Sequence, residues 1–146
     1  MPRFRRHSRY ALIVPGNQPC IGEPLPNASL AVIPHQKLVD YVLDPTHHHG
    51  GPKAHVFAAA LAIEHSDWRY LHDAILDELP NRPVTGAREP SRPRAVRTWE
   101  VRVLIEGLND RAAWVITSWR MVDEHPVLVS ARVAQKGRQD PRRGVR

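Results

Sequence analysis

The chain has 146 residues, of which 42% are hydrophobic and 25% charged, and its formal net charge is +6. This length and apolar content predict one domain with a buried core and exclude two full-sized domains. The single cysteine, Cys20, excludes an internal disulfide framework and multi-cysteine zinc modules. No apolar run reaches the roughly 20 residues of a membrane span, and the apolar stretch after residues 1–9 is too short for a signal peptide. We therefore expect a soluble protein with no membrane partner.

The positive charge is concentrated at the two ends of the chain. Residues 1–9 carry a charge of +4 and residues 136–146 another +4, so residues 10–135 carry −2. Basic tails can bind nucleic acid without sequence preference or attach to acidic partners, although solvated or vector-derived ends have the same composition. Within the body, residues 82–97 hold five arginines and one acid, next to the acidic stretch 64–78.

Helices are predicted in the first half of the chain, after a short strand at residues 10–14 and a proline-rich loop. Apolar residues at helical spacing, Tyr41 among them, predict a helix from about Pro34 to Leu43, ending before a proline. A second helix is expected from about Lys53 to Leu61. In a third helix, Ser66 is the expected N-cap. The predicted inner face of this third helix consists of Trp68, Leu71, Ile75 and Leu79.

The second half of the chain has the alternation typical of β-strands. Strands are predicted at residues 98–105, 113–121 and 127–133, joined by turns at 108–110 and 123–126. Residues 81–96, with three prolines, predict a long loop or a loosely attached edge of the sheet. The fold class is therefore α+β, with two or three N-terminal helices packed on a C-terminal antiparallel meander of three to four strands. We divide the chain into a basic arm and loop (1–24), the α+β domain (25–133) and a basic tail (134–146).

The most conspicuous polar feature is the run of three histidines from His47 to His49. Consecutive imidazoles cannot converge on one ion without a contorted backbone, and no second cluster has metal-ligand spacing, so we predict no metal and no cofactor. General acid or base chemistry is the alternative, because histidine titrates near neutral pH. His47, Lys53 and His55 surround a predicted helix start, where free backbone N–H groups favour an anion. An exposed loop with a solvated Lys53 would have the same sequence.

Polar residues alternate along the predicted strands. Ser118 and Arg120 point to one face of their strand and Thr117 to the other, while Ser130 and Arg132 share a face of the last strand. Hydroxyl and guanidinium groups on one face suit a cleft, although antiparallel sheets often leave such a face in water. The tryptophans of these strands fit core or sheet-surface packing better than base stacking.

Two segments of the chain resemble a bacterial domain family of unknown function. The first runs from Leu25-Pro26-Asn27-Ala28 to Phe57 and follows the family pattern LPNA…AxIPxxKLxxYxLNPxHxxGxxKAxxF. The second, at residues 116–131, is similar to the family's closing segment WxxxxxxxxPxLVTA. The resemblance covers residues 25–133. Asp44 departs from it by standing where the pattern has Asn, and His55 by standing where the family often has Arg.

Members of that family often lie at the ends of polymorphic toxins and adhesin-like proteins. Helices followed by an antiparallel sheet are similar to the endoribonuclease group of barnase, EndoU, the colicin tRNases and RelE, which cleave RNA through its 2′-hydroxyl. The resemblance therefore implies a metal-independent endoribonuclease toxin that acts on RNA such as tRNA and has a cognate immunity or antitoxin protein. Its location would be the cytoplasm of its own cell or of a target cell. The alternative is a non-catalytic protein- or anion-binding module.

The resemblance also assigns roles to individual residues. Its matched polar positions are His47, Lys53 and Ser130. In this reading His47 is a general acid or base, Lys53 stabilises the charge on the phosphate, and Ser130 positions the RNA backbone together with Thr117 or Arg120. The residues expected to bind the substrate are His49, His55, Arg94 and Arg97.

Overall fold

The computed structural model describes residues 18–135, so the predicted strand at 10–14 and most of both basic ends lie outside the described residues. Its helices are α1 (His35–Lys37), α2 (Gly51–Leu61) and α3 (Trp68–Glu78), and a π-helix, Leu38–Val42, continues α1. The strands are β1 (Val84–Arg88), β2 (Thr98–Glu106), β3 (Ala112–Val122) and β4 (His125–Val133). The predicted α+β class, with helices before an antiparallel sheet, is confirmed. None of the helices within residues 18–135 has the length and apolar composition needed to cross a membrane.

The four strands form one antiparallel meander in the order β1-β2-β3-β4. Of the two alternatives predicted for residues 81–96, the edge is correct for Val84–Arg88, which pairs with β2 at the margin of the sheet, and the loop is correct for most of the residues after it. Of the side chains of this strand only that of Val84 is buried in the core, at 1% exposure. The other positions need no apolar residue, which is why the apolar content of the strand is low. Backbone hydrogen bonds to β2 supply the rest of the pairing, and composition does not reveal them.

One face of the sheet packs against the helices and forms the core. The third helix buries Leu71 and Ile75 as its spacing predicted, Leu79 is buried in the 3₁₀ turn that follows the helix, and Trp68 is only partly buried. Helix α2 contributes Phe57 and Leu61. Because successive residues of a strand point to opposite faces, every second strand residue faces these helices. The main strand residues of this core are Val101, Val103, Ile105, Val115, Trp119, Leu128, Ala131 and Val133.

The helix predicted from about Pro34 to Leu43 is not one regular helix. It begins with a single α-turn and widens into the π-helix Leu38–Val42, in which the Leu43 N–H donates to the Leu38 carbonyl at 2.8 Å. The wider turn buries Leu38, Val42 and Leu43 at no more than 1% exposure. It leaves Tyr41 half-buried at the edge of the sheet. Such π-turns are frequent at functional sites.

The start of α3 also differs from the prediction. Ser66 is not its N-cap, because a 3₁₀ turn, His65–Asp67, precedes the helix. The Asp67 carboxylate accepts a hydrogen bond from the Glu64 N–H at 2.9 Å, and the Glu64 side chain accepts one from the backbone of Asp67. This reciprocal capping satisfies two N–H groups that a serine cap would leave to water.

The far end of β2 is covered by α3, since β1 is too short to pair with it. The Glu78 carboxylate accepts a hydrogen bond from the Leu104 N–H at 3.1 Å, and the Tyr70 hydroxyl donates to the Glu106 carbonyl at 2.5 Å. Arg82 holds Glu78 in position with an ion pair of 2.9 Å. Side chains therefore satisfy backbone groups that an open strand edge would offer to another chain.

The turns between the strands lie where the sequence predicts them, although the second is limited to residues 123–124 because β4 already begins at His125. Residues 108–110 form the first turn, where Gly107 N–H donates to the Arg111 carbonyl at 2.6 Å. In the second, Asp123 and Glu124 both have positive φ angles, 50° and 67°, as a two-residue hairpin requires. The Asn27 amide donates to the Glu124 carbonyl at 2.7 Å and braces this turn.

Candidate functional site

The sheet face opposite the core carries polar side chains from all four strands. Register places Ser118 of β3 beside Glu100 of β2 and Ser130 of β4. A register shift after Ser118 puts Leu128, rather than Val129, opposite Trp119. The alternation predicted for Ser118 and Ser130 is thus correct, and both side chains are half-buried.

This polar face is the floor of a cavity of about 460 Å³, which we call the main cavity. Tyr41 and Lys53 form one wall, and the loop after β1 forms the other. The floor consists of Thr98, Glu100, Ser118, Val129, Ser130 and Arg132. Helix, sheet and loop therefore converge on one concave surface.

Lys53 connects the wall of the main cavity to its floor. Its ammonium group donates to the Tyr41 hydroxyl at 2.5 Å and to the Ser130 hydroxyl at 3.1 Å. The same ammonium lies 4.5 Å from the centroid of the Tyr41 ring. The three residues come from the π-helix, the first turn of α2 and β4, so the tertiary fold assembles them.

The environment of Tyr41 favours its ionised form. Burial raises its pKa, but hydrogen bonds with Lys53 and Ser130, together with the positive charges of Lys53 and Lys37, outweigh burial and hold the pKa below the usual 10.0. A phenol with a lowered pKa beside an ammonium group is a candidate general base.

Titration of the tyrosines tests this interaction. In the wild-type protein one tyrosine should ionise below pH 10.0, and this component should be absent in Tyr41→Phe. In Lys53→Met it should move upward, because burial then acts without the opposing ammonium charge. Since the folded pKa is below the unfolded value, the wild type should gain stability relative to Tyr41→Phe as pH rises from the folded pKa towards 10.0. Tyrosinate absorbance measures the ionisation, and an unchanged curve in Tyr41→Phe would contradict it.

The main cavity has a positive electrostatic balance. Four cationic side chains line it against two acids, and one of the acids, Glu89, forms an ion pair with Arg97. Five hydroxyl-bearing residues accompany them. Such a surface suits an anion held by charge and hydrogen bonds. The cations are Lys53, Arg88, Arg92 and Arg132, and the hydroxyl-bearing residues are Tyr41, Ser91, Thr98, Ser118 and Ser130.

His47 lies beside the main cavity but is engaged in its own loop. Its Nδ1 atom accepts hydrogen bonds from the N–H groups of His49 and Gly50, both at 2.9 Å. The lone pair that a general base would use is therefore occupied, and the neutral ring carries its proton on Nε2. The ring packs edge-on against Tyr41 with centroids 4.9 Å apart. His47 thus braces the tyrosine and the loop.

The loop between the π-helix and α2 is built by local hydrogen bonds. Asp44 accepts from the N–H and the hydroxyl of Thr46 at 2.9 Å and 2.7 Å. The hydrogen bonds from the Thr46 side chain and backbone lower the pKa of Asp44. An asparagine oxygen accepts the same bonds, so the departure from the family pattern at this position is compatible with the turn.

Several predicted site residues lie away from the main cavity. Arg120 is exposed and lines a separate shallow cavity with Arg97, whose guanidinium lies 5.3 Å from the Trp99 ring centroid. Arg94 is exposed with a φ of 70°, and it does not line the main cavity. Arg97 does not line it either, but its ion pair with Glu89 places it at the edge of the cavity. The structure brings Arg88 and Arg92 to the main cavity instead.

The two predicted histidine contacts are also outside the main cavity. His49 is exposed and packs against His48 with ring centroids 4.6 Å apart, and His55 is exposed on α2. Of the nine predicted site residues, the structure brings Lys53 and Ser130 into the cavity, with His47 beside it.

Thr117 faces the core and cannot contact a substrate. It is fully buried, donates to the Val101 carbonyl at 2.8 Å and accepts from the Trp119 indole at 2.7 Å. Its predicted participation in the site is therefore corrected to a structural role. The alternation of the strand had already indicated the face opposite Ser118.

Replacement of Thr117 tests this correction. Thr117→Val should lower the free energy of unfolding by about 2 kcal/mol, because the buried Trp119 indole loses its acceptor. The folded variant should keep wild-type activity or binding in the main cavity. Thr85→Val is the control, since its exposed hydroxyl also bonds a carbonyl, that of Glu100. Urea unfolding measures the stability of the two variants, and equal stability would contradict the structural role of Thr117.

Across residues 18–135, no group of three or more His, Cys, Asp or Glu side chains is arranged to hold a metal ion. The three histidines make contacts within their own loop: His47 accepts backbone hydrogen bonds, and the rings of His48 and His49 pack against each other. The chemically distinctive group in this part of the chain is therefore the set Tyr41, Lys53 and Ser130.

A family model for a domain of unknown function, DUF6883, matches residues 24–135. The chain belongs to this family. The match includes every residue that lines the main cavity, so the cavity lies wholly within the matched part of this chain. Searches of curated proteins and of solved structures found no match.

Proposed function

We propose that this DUF6883 domain is a metal-independent endoribonuclease whose active site is the main cavity. The observation that supports the proposal most is the ammonium group of Lys53, held between the hydroxyls of Tyr41 and Ser130. This arrangement provides a base with a lowered pKa, a cation and a hydroxyl within one positively lined concavity. In cleavage of RNA through its 2′-hydroxyl, a base takes the hydroxyl proton, a cation stabilises the charge on the phosphoryl oxygens, and a hydroxyl can orient the phosphate.

The reaction follows from the positions of the three side chains. Tyr41, as phenolate, takes the proton of the 2′-hydroxyl, and the 2′-oxygen forms a bond to phosphorus while the bond to the 5′-oxygen breaks. Water supplies the proton to the departing 5′-oxygen, and Tyr41 returns its proton to solvent. Lys53 stabilises the negative charge that develops on the phosphoryl oxygens. Once Tyr41 has taken the proton, the Ser130 hydroxyl turns from the tyrosine, donates to the phosphate and orients it.

The arginines of the main cavity would hold the rest of the RNA backbone. Arg88 at the end of β1, Arg92 in the loop after it and Arg132 of β4 all line the cavity. Phosphate contacts of this kind position a nucleic acid without reading its sequence.

As a toxin, the domain would act on cellular RNA such as tRNA. Its host cell would be protected by an immunity or antitoxin protein. Induction of the domain without that protein should therefore slow cell growth.

A cleavage assay with total tRNA and EDTA tests the proposed function. Wild type should cleave, and Tyr41→Phe and Ser130→Ala should each be slower, by about 10²-fold for Tyr41→Phe because it removes the base. Arg120→Ala is the control, since this exposed arginine is outside the main cavity. No cleavage by wild type, or equal rates for all four proteins, would contradict the proposal.

One observation favours the alternative function, a non-catalytic anion-binding module. Tyr41, Lys53 and Ser130 satisfy one another through hydrogen bonds, and the Nδ1 lone pair of His47 is occupied. A site of this kind would bind phosphate groups without turnover. Retention of tRNA by wild type, with loss of retention in Lys53→Met and no cleavage products, would select this alternative.

A further inference from the structure

A second cavity adjoins the main one at the start of α2. Its volume is about 370 Å³, and we call it the side pocket. The buried side chains of Ile116 and Val133 form its base, and Val56 of α2, 44% exposed, lies at its rim. Gln135 lines it as well. Apart from Lys53 and Arg132, the side pocket therefore has apolar walls and one amide group.

Two cationic residues line both cavities. Lys53 and Arg132 face the main cavity and also the side pocket. An anionic group bound between them would have the hydroxyls of the main cavity on one side and the apolar walls of the side pocket on the other. The ligand that fits both has a phosphate joined to a flat apolar group with a polar edge.

We propose that the side pocket binds the base of the nucleotide whose phosphate lies at Lys53 and Arg132. The inference rests on the proposed function in that RNA is the ligand of the main cavity. The faces of a nucleobase are apolar and pack against aliphatic side chains such as Val56, while its edge carries donors and acceptors. The Gln135 amide has two N–H donors and an oxygen acceptor, so it can bond that edge in addition to its own contacts within the protein. The side pocket thereby determines which base lies next to the reacting phosphate.

Binding of small ligands tests the side pocket separately from cleavage. By calorimetry, at least one nucleoside 5′-monophosphate should bind wild type about tenfold more tightly than ribose 5-phosphate, since only the nucleotide fills the side pocket. Val56→Trp should remove this tenfold difference by filling the pocket, with the affinity for ribose 5-phosphate unchanged. Ala59→Trp is the matched control on α2, because Ala59 is exposed and lines neither cavity, and it should keep the difference.

A second variant tests the base contact without filling the pocket. Gln135→Leu should reduce the preference among the four monophosphates while the affinity for ribose 5-phosphate stays the same. Equal binding of nucleotides and ribose 5-phosphate by wild type would overturn the inference, and so would an unchanged ratio in Val56→Trp. Selective nucleotide binding without RNA cleavage would contradict the proposed function alone. Cleavage without base-dependent binding would contradict the side pocket alone.

Discussion

Lys53→Met is expected to reduce RNA cleavage by about 10³-fold, the largest effect of any single substitution in the main cavity. The change removes the charge that stabilises the phosphoryl oxygens, which is typically worth 10²–10³ in rate. It also removes the hydrogen bond and positive charge that lower the pKa of Tyr41. Single-turnover cleavage of tRNA at saturating protein measures the chemical step without the contribution of binding.

Lys37→Met is the matched control for this experiment. Lys37 also lies near Tyr41, with its ammonium 5.9 Å from the ring centroid, but it does not line the main cavity. The two variants have the same change in charge and side-chain length. A rate within a few-fold of wild type for Lys37→Met, beside the loss for Lys53→Met, separates the local contact from net charge. Similar rates for the two variants would contradict the role of Lys53.

Gly50→Ala should lower the free energy of unfolding more than Thr117→Val, Thr85→Val or Gly86→Ala. A Cβ atom at this position would lie 1.9 Å from the Tyr41 carbonyl oxygen and 2.6 Å from its carbonyl carbon. Both are backbone atoms, so the loop or the π-helix must move, at a cost of about 3 kcal/mol. The melting temperature should fall by roughly 10 °C. Because the displaced residue is Tyr41, the remaining folded protein should also cleave RNA more slowly.

Gly86→Ala is the control for the glycine substitution. Its Cβ would have the Glu100 carboxylate oxygen at 3.8 Å as its nearest neighbour, which is ordinary van der Waals contact. Its stability should therefore change by less than about 0.5 kcal/mol. Thermal unfolding of both variants under one buffer measures the difference. A Gly50→Ala protein as stable as Gly86→Ala would show that the close approach to Tyr41 is absent.

The elements that the sequence predicts well are those whose apolar pattern is strong and local. The inner face of α3 and the alternation along β2, β3 and β4 depend on side-chain spacing, which the sequence states directly. The hydroxyl of Ser130 was expected on the polar face for the same reason. Lys53 was selected from the family pattern and from its position near a helix start.

The parts that escaped prediction depend on tertiary contacts. Tyr41 fits the apolar pattern of a predicted helix, so the sequence indicates no role for its hydroxyl. Its hydroxyl becomes part of the site because Tyr41 lies in the π-helix and Lys53 of α2 donates a hydrogen bond to it. β1 is held by pairing with β2 more than by its own side chains. Five arginines between residues 82 and 97 gave a signal for an anion site, but which of them face the cavity depends on where β1 ends.

The role of His47 illustrates a further reason for the difference. Sequence alone shows a titratable ring in a polar loop, and this pattern favours acid or base chemistry. The fold directs backbone N–H groups of the next residues onto Nδ1, which converts the ring into a brace. A side chain that satisfies its own loop has the same sequence as one that faces a substrate.

The most direct test of the active-site proposal is the chemistry of the RNA ends. Wild-type protein in EDTA should convert an RNA oligonucleotide into fragments that end in a 2′,3′-cyclic phosphate, detected by mass spectrometry, and Lys53→Met should form them about 10³-fold more slowly. An oligonucleotide with 2′-deoxy sugars should remain intact, because the attacking hydroxyl is missing. Fragments that end in a 3′-hydroxyl, or cleavage of the 2′-deoxy oligonucleotide, would contradict the proposed reaction at Tyr41, Lys53 and Ser130.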